Sequence, residues 1–381
     1  MKTPNRILIM GQVPPPYHGQ AMMTERLLNG DLPEVEMYFL RMDFSQSLDA
    51  VGKASVRKLW HLVELVVRAI RMRFHHQLST LYFMPAGNAT VPLIRDMLLL
   101  GLIRPFFPKL IFHFRAAGIG EYVDQLPFLF KRLAWWVYGK PELAIHLTHH
   151  SPDDGGYFAA KRTVVIHNGL EDGAETYLPI QRESRKRTRI LLLSSLKASK
   201  GVMILLEAVA QLRDRGYQLD VHCVGPFASA AFEQTCRDFC ESNALTSLVH
   251  FPGVKLAEEK WQEYLWADIF CFPSYFESES APSVVLEAGM FELPVVSTQW
   301  RGIPSLVEHG GGGFLVPPQS VEAIYQALEE LILDPQLRAE MGQAGRRKYL
   351  QEFQLAIFYQ QMNAALSLSP HIAKQEIAYV H

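Results

Sequence analysis

The chain has 381 residues, of which 49% are hydrophobic, and it carries 37 Lys and Arg against 39 Asp and Glu. At roughly 150 residues per domain, this length predicts two domains, each able to bury its own core. The balanced charge removes any global argument for nucleic acid as a partner, and we expect none.

The sequence also bears on cellular location. The first apolar run, Arg6–Met10, is too short for the core of a signal peptide. The most apolar window, Met97–Ile103, is flanked by Asp96 and Arg104, so no helix is predicted to span a bilayer. The four cysteines form no CxxC pair and no secreted-scaffold pattern. We therefore expect a cytoplasmic protein with reduced thiols.

Short apolar runs alternate with longer helical patterns in the first half, which predicts α/β architecture with mainly parallel sheets. Five of these runs are predicted strands: Arg6–Met10, Ser79–Met84, Lys109–Phe114, Leu143–Thr148 and Thr163–His167.

Residues Lys53–Leu78 are predicted to form a basic amphipathic helix with Glu64 as its one acidic residue. Its apolar stripe at helical spacing consists of Leu59, Leu62, Val63, Val66, Val67 and Ile70. Such a helix either lies on an anionic membrane surface or packs its stripe into a domain core. Both interpretations stay open. Trp135 and Trp136, with basic residues nearby, favour contact with a membrane or a hydrophobic acceptor.

Three histidines and two aspartates cluster in His146–Gly156, at and after the end of the fourth predicted strand. A metal site is one interpretation of this cluster. We favour a polar loop, because Asp153 and Asp154 directly before two glycines are typical of a turn.

A polar, basic stretch at Pro179–Arg189 predicts a solvated linker between the two halves. We place an N-terminal domain over 1–183 and a C-terminal domain over 184–351, with a ligand cleft between them. Six strands are predicted in the second half: Arg189–Ser195, Leu219–Gly225, Leu248–Gly253, Asp268–Ser274, Pro294–Thr298 and Gly313–Pro317.

The stretch ESESAPSVVLEAG holds three glutamates at the start of a predicted helix. We expect this helix from about Pro282 to Met290, with Ser280 as its N-cap. It follows a strand end, where parallel sheets bind ligands, and its first amides favour a phosphate. Glu287 is expected to reach sugar hydroxyls beside that phosphate, and Glu279 lies in the approach loop.

These residues carry a family resemblance. The segments PSYFESESAPSVVLEAGMFELPVVST and GIPSLVEHGGGGFLVPP resemble the donor-site signature of retaining GT-B glycosyltransferases of family 4, in the exopolysaccharide and lipopolysaccharide type of group 1. That family has two glutamates separated by seven residues. Glu279 and Glu287 have this separation, whereas Glu277 does not. The flanking PS, LEAG, PVVST and GFLVPP strengthen the match.

The resemblance covers most of the chain and implies two facing Rossmann-like domains with an interdomain cleft. It also implies that the last helix, about 352–381, packs back on the first domain. Val164–Leu170 resembles the segment that leads into the interdomain connection. Lys200 and Gly201 match a Lys-Gly pair of the family, whereas Ser194-Ser195 replaces its Gly-Arg.

The resemblance implies roles for five donor-site residues. Lys200, with Lys197 in the same loop, would neutralise the diphosphate of the donor. Ser195 occupies the position of the family's arginine and cannot form a bidentate clamp. Glu287 would hold the nucleotide ribose, and Glu279 would contact hydroxyls of the donor sugar.

Further residues are placed by the resemblance around these five. The donor phosphate would meet the start of the glutamate helix, at Ser280, Ala281, Pro282 and Ser283. The acceptor-side loop of the first domain would contain Gly19 and Gln20, where the family has Gly-Gly. His113 is the best match to a histidine that faces the donor sugar, and Arg115 is its neighbour. A structural strand histidine is the alternative for His113.

The implied reaction transfers a hexose or related sugar from a nucleotide diphosphate sugar, with retention, to a glycan or lipid-linked acceptor in surface polysaccharide biosynthesis (hexosyltransferase, EC 2.4). No Asp-x-Asp occurs in the chain, so we expect neither a metal nor a cofactor. One alternative is a nucleotide-sugar epimerase or phosphorylase on the same fold. Another is a non-catalytic sugar-binding relative, which Ser194-Ser195 favours. Peripheral contact with the inner face of the cytoplasmic membrane, through residues 53–78, is a further expectation.

Overall fold

The computed structural model describes residues 4–15, 19–42, 56–180, 182 and 186–368, with backbone alone for 56–59. The chain divides into two units, after Gly169 and again after Gln354. The first unit includes the segment that begins at Leu355, and the second is continuous.

The first unit contains a six-stranded parallel sheet in the order β2-β1-β3-β4-β5-β6. Its strands are β1 Asn5–Gly11, β2 Val35–Arg41, β3 Thr80–Phe83, β4 Lys109–Phe114, β5 Leu143–His146 and β6 Thr163–Val165. Its helices are α1 Gly19–Asn29, α2 Val56–His75, α3 Thr90–Ile103, α4 Ile119–Asp124, α5 Phe128–Tyr138, α6 Asp154–Tyr157 and, at the end of the chain, α13 Leu355–Leu366.

Both faces of this sheet are buried, which explains why its strands are continuous apolar runs. Leu8 and Met10 of β1 belong to one core cluster, and Ile7 and Ile9 belong to the cluster on the opposite face. The sequence did not predict β2, an edge strand whose middle residues are only half-buried.

Helix α13 packs on the first unit. Phe358 and Met362 lie in the core cluster that contains Ile7 and Ile9. The Asn5 side chain donates to the Leu366 carbonyl (2.7 Å). The tail 369–381, which the sequence analysis assigned to this last segment, lies outside the described residues.

The second unit contains a parallel sheet in the order β12-β11-β10-β7-β8-β9. Its strands are β7 Thr188–Leu193, β8 Leu219–Val224, β9 Val249–Gly253, β10 Ile269–Phe272, β11 Val295–Thr298 and β12 Gly313–Val316. Its helices are α7 Val202–Asp214, α8 Ala230–Ser242, α9 Glu258–Trp266, α10 Ser283–Met290, α11 Val321–Leu333 and α12 Pro335–Glu352. The expected α/β class with parallel sheets is confirmed.

The second unit begins at Leu170, earlier than the expected boundary between 183 and 184. Leu170 and Ala174 lie in its core. Arg182, placed by the sequence in a solvated linker, donates instead to the carbonyl oxygens of Ala267 (2.9 Å) and Phe291 (2.7 Å). Carbonyl oxygens of the second unit hold the Arg182 guanidinium against that unit. The polar, basic composition of the predicted linker does not indicate this contact.

Helix α2 divides its apolar residues between core and solvent. Leu62, Leu65 and Ala69 are buried, whereas Val63 and Val67, which belong to the predicted stripe, are exposed. Helix α2 therefore contributes to the core and also presents apolar side chains to its surroundings.

Candidate functional site

The order of the second sheet defines a position for a site. Strands β7 and β10 are neighbours and run parallel. The chain leaves β7 toward β8 on one side, and β10 continues to β11 on the other. Such a reversal in strand order opens a crevice at the carboxyl ends of the strands, where open α/β sheets bind ligands. The loops after β7 and β10 carry Lys200 and Glu279.

Lys200 and Glu279 form an ion pair at this position. Lys200 Nζ lies 2.5 Å from Glu279 Oε2, and both side chains are largely buried. The Ser274 hydroxyl donates to the same carboxylate oxygen (2.6 Å). One carboxylate oxygen, Oε2, therefore receives both donors.

Lys197 lies in the same loop as Lys200. Its Nζ is 3.5 Å from the centroid of the Phe276 ring, and Lys200 Nζ is 4.8 Å from the same centroid. Burial, and then the charge of Lys200, lower the pKa of Lys197. Two lysines held close together by aromatic faces favour an anion that would relieve their mutual repulsion.

The end of β11 and the residues after it hold the glutamate loop in place. Thr298 donates through Oγ1 to the Ser274 carbonyl (2.5 Å), and the Trp300 indole donates to the Phe276 carbonyl (2.8 Å). The Glu279 amide closes a turn on the same carbonyl of Phe276 (2.9 Å). Glu279 is thus fixed by three neighbouring segments, whereas Glu277 is exposed.

Glu287 lies on α10 and is also buried and paired. Lys260 Nζ is 2.7 Å from its Oε1, and the Tyr264 hydroxyl donates to its Oε2 (2.8 Å). Lys260 and Tyr264 are one helical turn apart on α9, so they share a face. Burial, followed by the Glu287 charge, raises the pKa of Tyr264 well above its ordinary value, and the hydroxyl keeps its proton.

The start of α10 differs from the prediction. The N-cap is Pro282, with ψ at 113°, and Ser280 lies too far upstream to cap the first turn. The N-cap residue Pro282 provides no side-chain cap for this helix. Its first amides therefore keep the capacity to bind an anion. Ser280 is buried, and Ala281 and Ser283 are half-buried at this helix end.

Ser194 and Ser195, at the position of the family's Gly-Arg, lie in the loop directly after β7. The Ser194 hydroxyl donates to the carbonyl of Ser195 (3.1 Å), and Ser195 is exposed. No cation stands at this point of the loop, so Lys197 and Lys200 are its positive charges.

Gly201 lets the Lys200 loop pass close to β10. Its φ is +78°, and a Cβ there would lie 2.1 Å from the Pro273 carbonyl oxygen. Gly216 has a φ of +87° with no atom near its Cβ position. We expect Gly216→Ala to lower the free energy of unfolding by about 1–2 kcal/mol from backbone strain alone.

Gly201→Ala should lower the free energy of unfolding clearly more than Gly216→Ala does, because the clash with Pro273 adds to the backbone strain. Urea unfolding of the two variants measures the difference. Equal losses would show that Gly201 does not hold the loop against β10.

The first unit has its own buried polar group at the carboxyl ends of β3 and β4. The Tyr82 hydroxyl is 2.5 Å from His113 Nδ1. Burial raises the pKa of Tyr82 and lowers that of His113, so the pair is neutral, and Tyr82 is assigned as the donor. The proton of His113 is then on Nε2, a buried atom without a hydrogen-bond partner in the described part of the chain.

Arg115 and Gln20 lie near the same edge of the first sheet. Arg115 donates to Asn168 Oδ1 (2.6 Å), and burial lowers its pKa to about 10. Gln20 donates to the Met84 carbonyl after β3 (3.3 Å), while Gly19 begins α1 and is exposed. Residues 16–18 of this loop lie outside the described residues.

The buried His113 predicts a loss of stability in acid. Its folded pKa lies well below 6.5, so below that pH the unfolded chain takes up a proton that the folded state does not. Stability present above about pH 6.5 is therefore lost as the pH falls. From pH 7.5 to 5.5 we expect His113 to account for about 1.4 kcal/mol of the decrease.

Urea unfolding of His113→Phe at both pH values measures this contribution. The variant should lose about 1.4 kcal/mol less than the wild type on acidification. Phe112→Leu, a buried change in the same strand, should lower stability equally at both pH values. An unchanged acid slope in His113→Phe would contradict the assignment of a buried neutral imidazole.

Asp153, Asp154 and His146, in the cluster at and after the end of β5, form hydrogen bonds within the first unit. Asp154 accepts from the amides of Gly118 (3.1 Å) and Gly120 (2.7 Å), and Asp153 caps α6. His146 Nε2 accepts from the Gly155 amide (3.1 Å). Burial raises the pKa of Asp154 to about 6. These bonds support the polar-loop interpretation of the cluster over a metal site.

The sequence analysis did not predict four side chains that bond directly to Glu279, Glu287 or His113: Tyr82, Lys260, Tyr264 and Ser274. Only the general rule that a buried carboxylate requires partners points to Lys260 and Ser274. The i, i+4 spacing of Lys260 and Tyr264 is the one signal in the sequence that could have linked them.

Comparison with solved structures defines the fold class. HepE of Anabaena, solved in complex with UDP, aligns with a TM-score of 0.69 at 18% identity, over 95% of this chain and 99% of that one. The lipopolysaccharide outer core galactosyltransferase WaaB, in its apo form, aligns with a TM-score of 0.69 at 14% identity over the same shares. The chain has the GT-B fold of glycosyltransferases.

Residues 174–348 match the family model described as glycosyl transferases group 1. The chain is 29% identical over 184 residues to a putative colanic acid biosynthesis glycosyltransferase, WcaL, of Escherichia coli, covering 46% of this chain and 44% of that protein. It is 35% identical over 162 residues to a D-inositol 3-phosphate glycosyltransferase of Corynebacterium jeikeium, covering 41% and 38%. It thus spans less than half the length of either relative.

Proposed function

We propose that this protein is a retaining hexosyltransferase. It would transfer a sugar from a nucleoside diphosphate sugar to a surface glycan or its lipid-linked precursor. The buried Lys200–Glu279 pair at the strand-order reversal of the second sheet carries this proposal. A cation and a carboxylate at one sheet edge suit a ligand that has both phosphates and sugar hydroxyls.

Different residues of the second unit would bind different parts of the donor. Lys200 and Lys197, with the first amides of α10, would neutralise the charge that develops on the departing diphosphate. Glu279 Oε1 would accept from a hydroxyl of the donor sugar. Glu287, held by Lys260 and Tyr264, would accept from the ribose hydroxyls.

The transfer step itself needs no nucleophile from the protein. The bond from the anomeric carbon to the phosphate oxygen breaks as the acceptor oxygen bonds to the same carbon on the same face. The proton of the acceptor hydroxyl passes to the leaving phosphate, so atoms and charge balance. His113 keeps its role beside the donor sugar as a prediction, and no metal or cofactor enters the scheme.

The ligands and pathways for which related proteins are named guide the choice of substrates. HepE was solved with UDP and with UDP-glucose, so UDP-sugars are the first donors to test. WcaL of Escherichia coli and AmsK of Erwinia amylovora are named for colanic acid and amylovoran biosynthesis. A surface glycan or its lipid-linked precursor is accordingly the acceptor we propose.

The location proposed with this activity is the cytoplasm, at the inner face of the membrane that carries a lipid-linked acceptor. The basic helix α2 supports contact with an anionic surface. None of the helices in the described part of the chain has both the length and the hydropathy needed to cross a bilayer.

Nucleotide release, measured with and without acceptor, tests the activity. The protein is incubated with UDP-, GDP- and ADP-sugars, alone and with a bacterial lipid extract, and labelled sugar is followed into the lipid fraction. We expect release and incorporation only when the extract is present. Release without extract, together with an isomerised or free sugar, would favour the epimerase or phosphorylase alternative.

A further inference from the structure

Helix α3 is apolar on both of its sides. Leu93, Met97 and Leu100 face the core of the first unit and are buried. On the opposite side, the side chains of a second stripe are between 37% and 51% exposed: Val91, Ile94, Leu98 and Leu102. A helix that is apolar all round is normally buried all round. The outer stripe of α3 therefore marks a surface that is covered in the working protein.

The helices on either side of α3 continue this surface. Helices α2 and α5 both contact α3. The exposed large apolar side chains of α2 are Trp60, Val63, Val67 and Phe74, and those of α5 are Phe128, Leu129, Phe130, Leu133 and Trp136. We call these residues, with the outer stripe of α3 and Phe106, the apolar face.

The exposed apolar side chains of the protein are concentrated on this face. Of the nineteen large apolar side chains exposed in the described part of the chain, fourteen lie between Trp60 and Trp136. Single exposed apolar residues are normal, but a contiguous group of this extent indicates an interaction surface. Phe74 and Phe106 are in edge contact, with ring centroids 6.2 Å apart, so α2 and the end of α3 are joined.

Charge and aromatic placement indicate what covers the face. Exposed Arg71, Arg132 and Lys140 lie on or next to its helices. The acids nearby have basic partners: Glu64 lies 3.6 Å from Arg68, and Asp124 pairs with Lys131. Trp60 and Trp136, which prefer the boundary between lipid and water, lie on the outer two helices. Basic side chains beside an apolar surface suit an anionic lipid bilayer.

The dimensions of α3 fix the mode of contact. Its 14 residues are about 21 Å long, short of the roughly 30 Å hydrocarbon core of a bilayer. We propose that the apolar face docks the protein on an anionic lipid bilayer, with α3 and α5 lying along the interface. The sequence pointed to α2 alone, whereas the structure makes α3 the centre of the docking surface.

Vesicle sedimentation tests this proposal without any sugar donor, so its outcome is separate from that of the transferase proposal. The wild type is mixed with vesicles of phosphatidylglycerol and phosphatidylcholine, and with phosphatidylcholine alone, at low and high salt. We expect binding to the anionic vesicles, weakened but not abolished by salt, because the apolar contacts persist. The double variant Leu98→Glu/Leu102→Glu should bind at least tenfold more weakly.

The matched control is Leu256→Glu/Leu333→Glu, which changes two exposed leucines of the second unit (62% and 66% exposed) and should bind as the wild type does. Because all four leucines are exposed, both variants should melt near the wild-type temperature. The proposal is overturned if the wild type ignores anionic vesicles at low salt, or if the α3 variant binds unchanged. It is also overturned if sedimentation shows a dimer that the α3 variant dissociates and no vesicle binding, since a second copy would then cover the face.

Discussion

Lys200→Met is expected to lower sugar transfer by about 10²–10³-fold and the free energy of unfolding by about 3–5 kcal/mol. Removing the ammonium leaves the Glu279 carboxylate largely buried, with Ser274 as its remaining donor. It also removes positive charge from the position assigned to the diphosphate. Transfer is measured by nucleotide release with acceptor present, and stability by urea unfolding at neutral pH.

The double variant Lys200→Met/Glu279→Gln separates the two effects. With neither charge left in the buried pair, most of the lost stability should return. Transfer should stay as low as in the single variant. Lys255→Met, which removes a lysine 3.9 Å from Glu259 at the surface of the same unit, is the control and should change both quantities little. A double variant that regains activity along with stability would show that the pair is structural.

Glu287→Gln is expected to weaken binding of the donor nucleotide by about 10–100-fold, the value of a hydrogen bond to a charged group. Amide and carboxylate have nearly the same shape, but the amide offers one acceptor oxygen. That oxygen is expected to remain with Lys260 or Tyr264, so the ribose hydroxyls lose their acceptor. Calorimetric titration with the nucleoside diphosphate measures the change in affinity.

Glu287→Gln should weaken the binding of both nucleoside and nucleotide, because a ribose contact does not depend on the phosphates. Glu322→Gln, an exposed change on α11, is the matched control and should leave affinity unaltered. If Glu287→Gln binds the diphosphate as tightly as the wild type, Glu287 is a structural partner of α9 and has no part in holding the donor.

Eleven strands could be predicted from the sequence because both faces of each sheet are buried and the strands are short apolar runs between polar loops. Strand β2 was missed for the converse reason: Glu36 and Arg41 interrupt it, and it lies at the sheet edge. The boundary near 183 was misplaced because Arg182 packs on the second unit through carbonyl oxygens that only the folded chain brings to it.

The family resemblance selected Glu279, Glu287 and Lys200, but it did not indicate that Lys200 pairs with Glu279. Lys200 and Glu279 are neighbours because β7 and β10 are adjacent, and a linear pattern does not contain that order. Lys260 and Tyr264 meet Glu287 only when α9 packs beside α10. The same limit applies to α3: its outer stripe has the composition of a buried helix, and only the exposure of its side chains separates the two faces.

The proposed donor site is tested most directly by thermal unfolding with nucleotides. The wild type and the Lys200→Met/Glu279→Gln variant are heated with UDP, GDP and ADP and with the matching monophosphates. We predict that one diphosphate stabilises the wild type, by about 2.7 kcal/mol at 100 times its dissociation constant, and more than its monophosphate does. The variant should lose this preference for the second phosphate. A wild type that no nucleoside diphosphate stabilises would contradict the assignment of the Lys200–Glu279 site to a nucleotide donor.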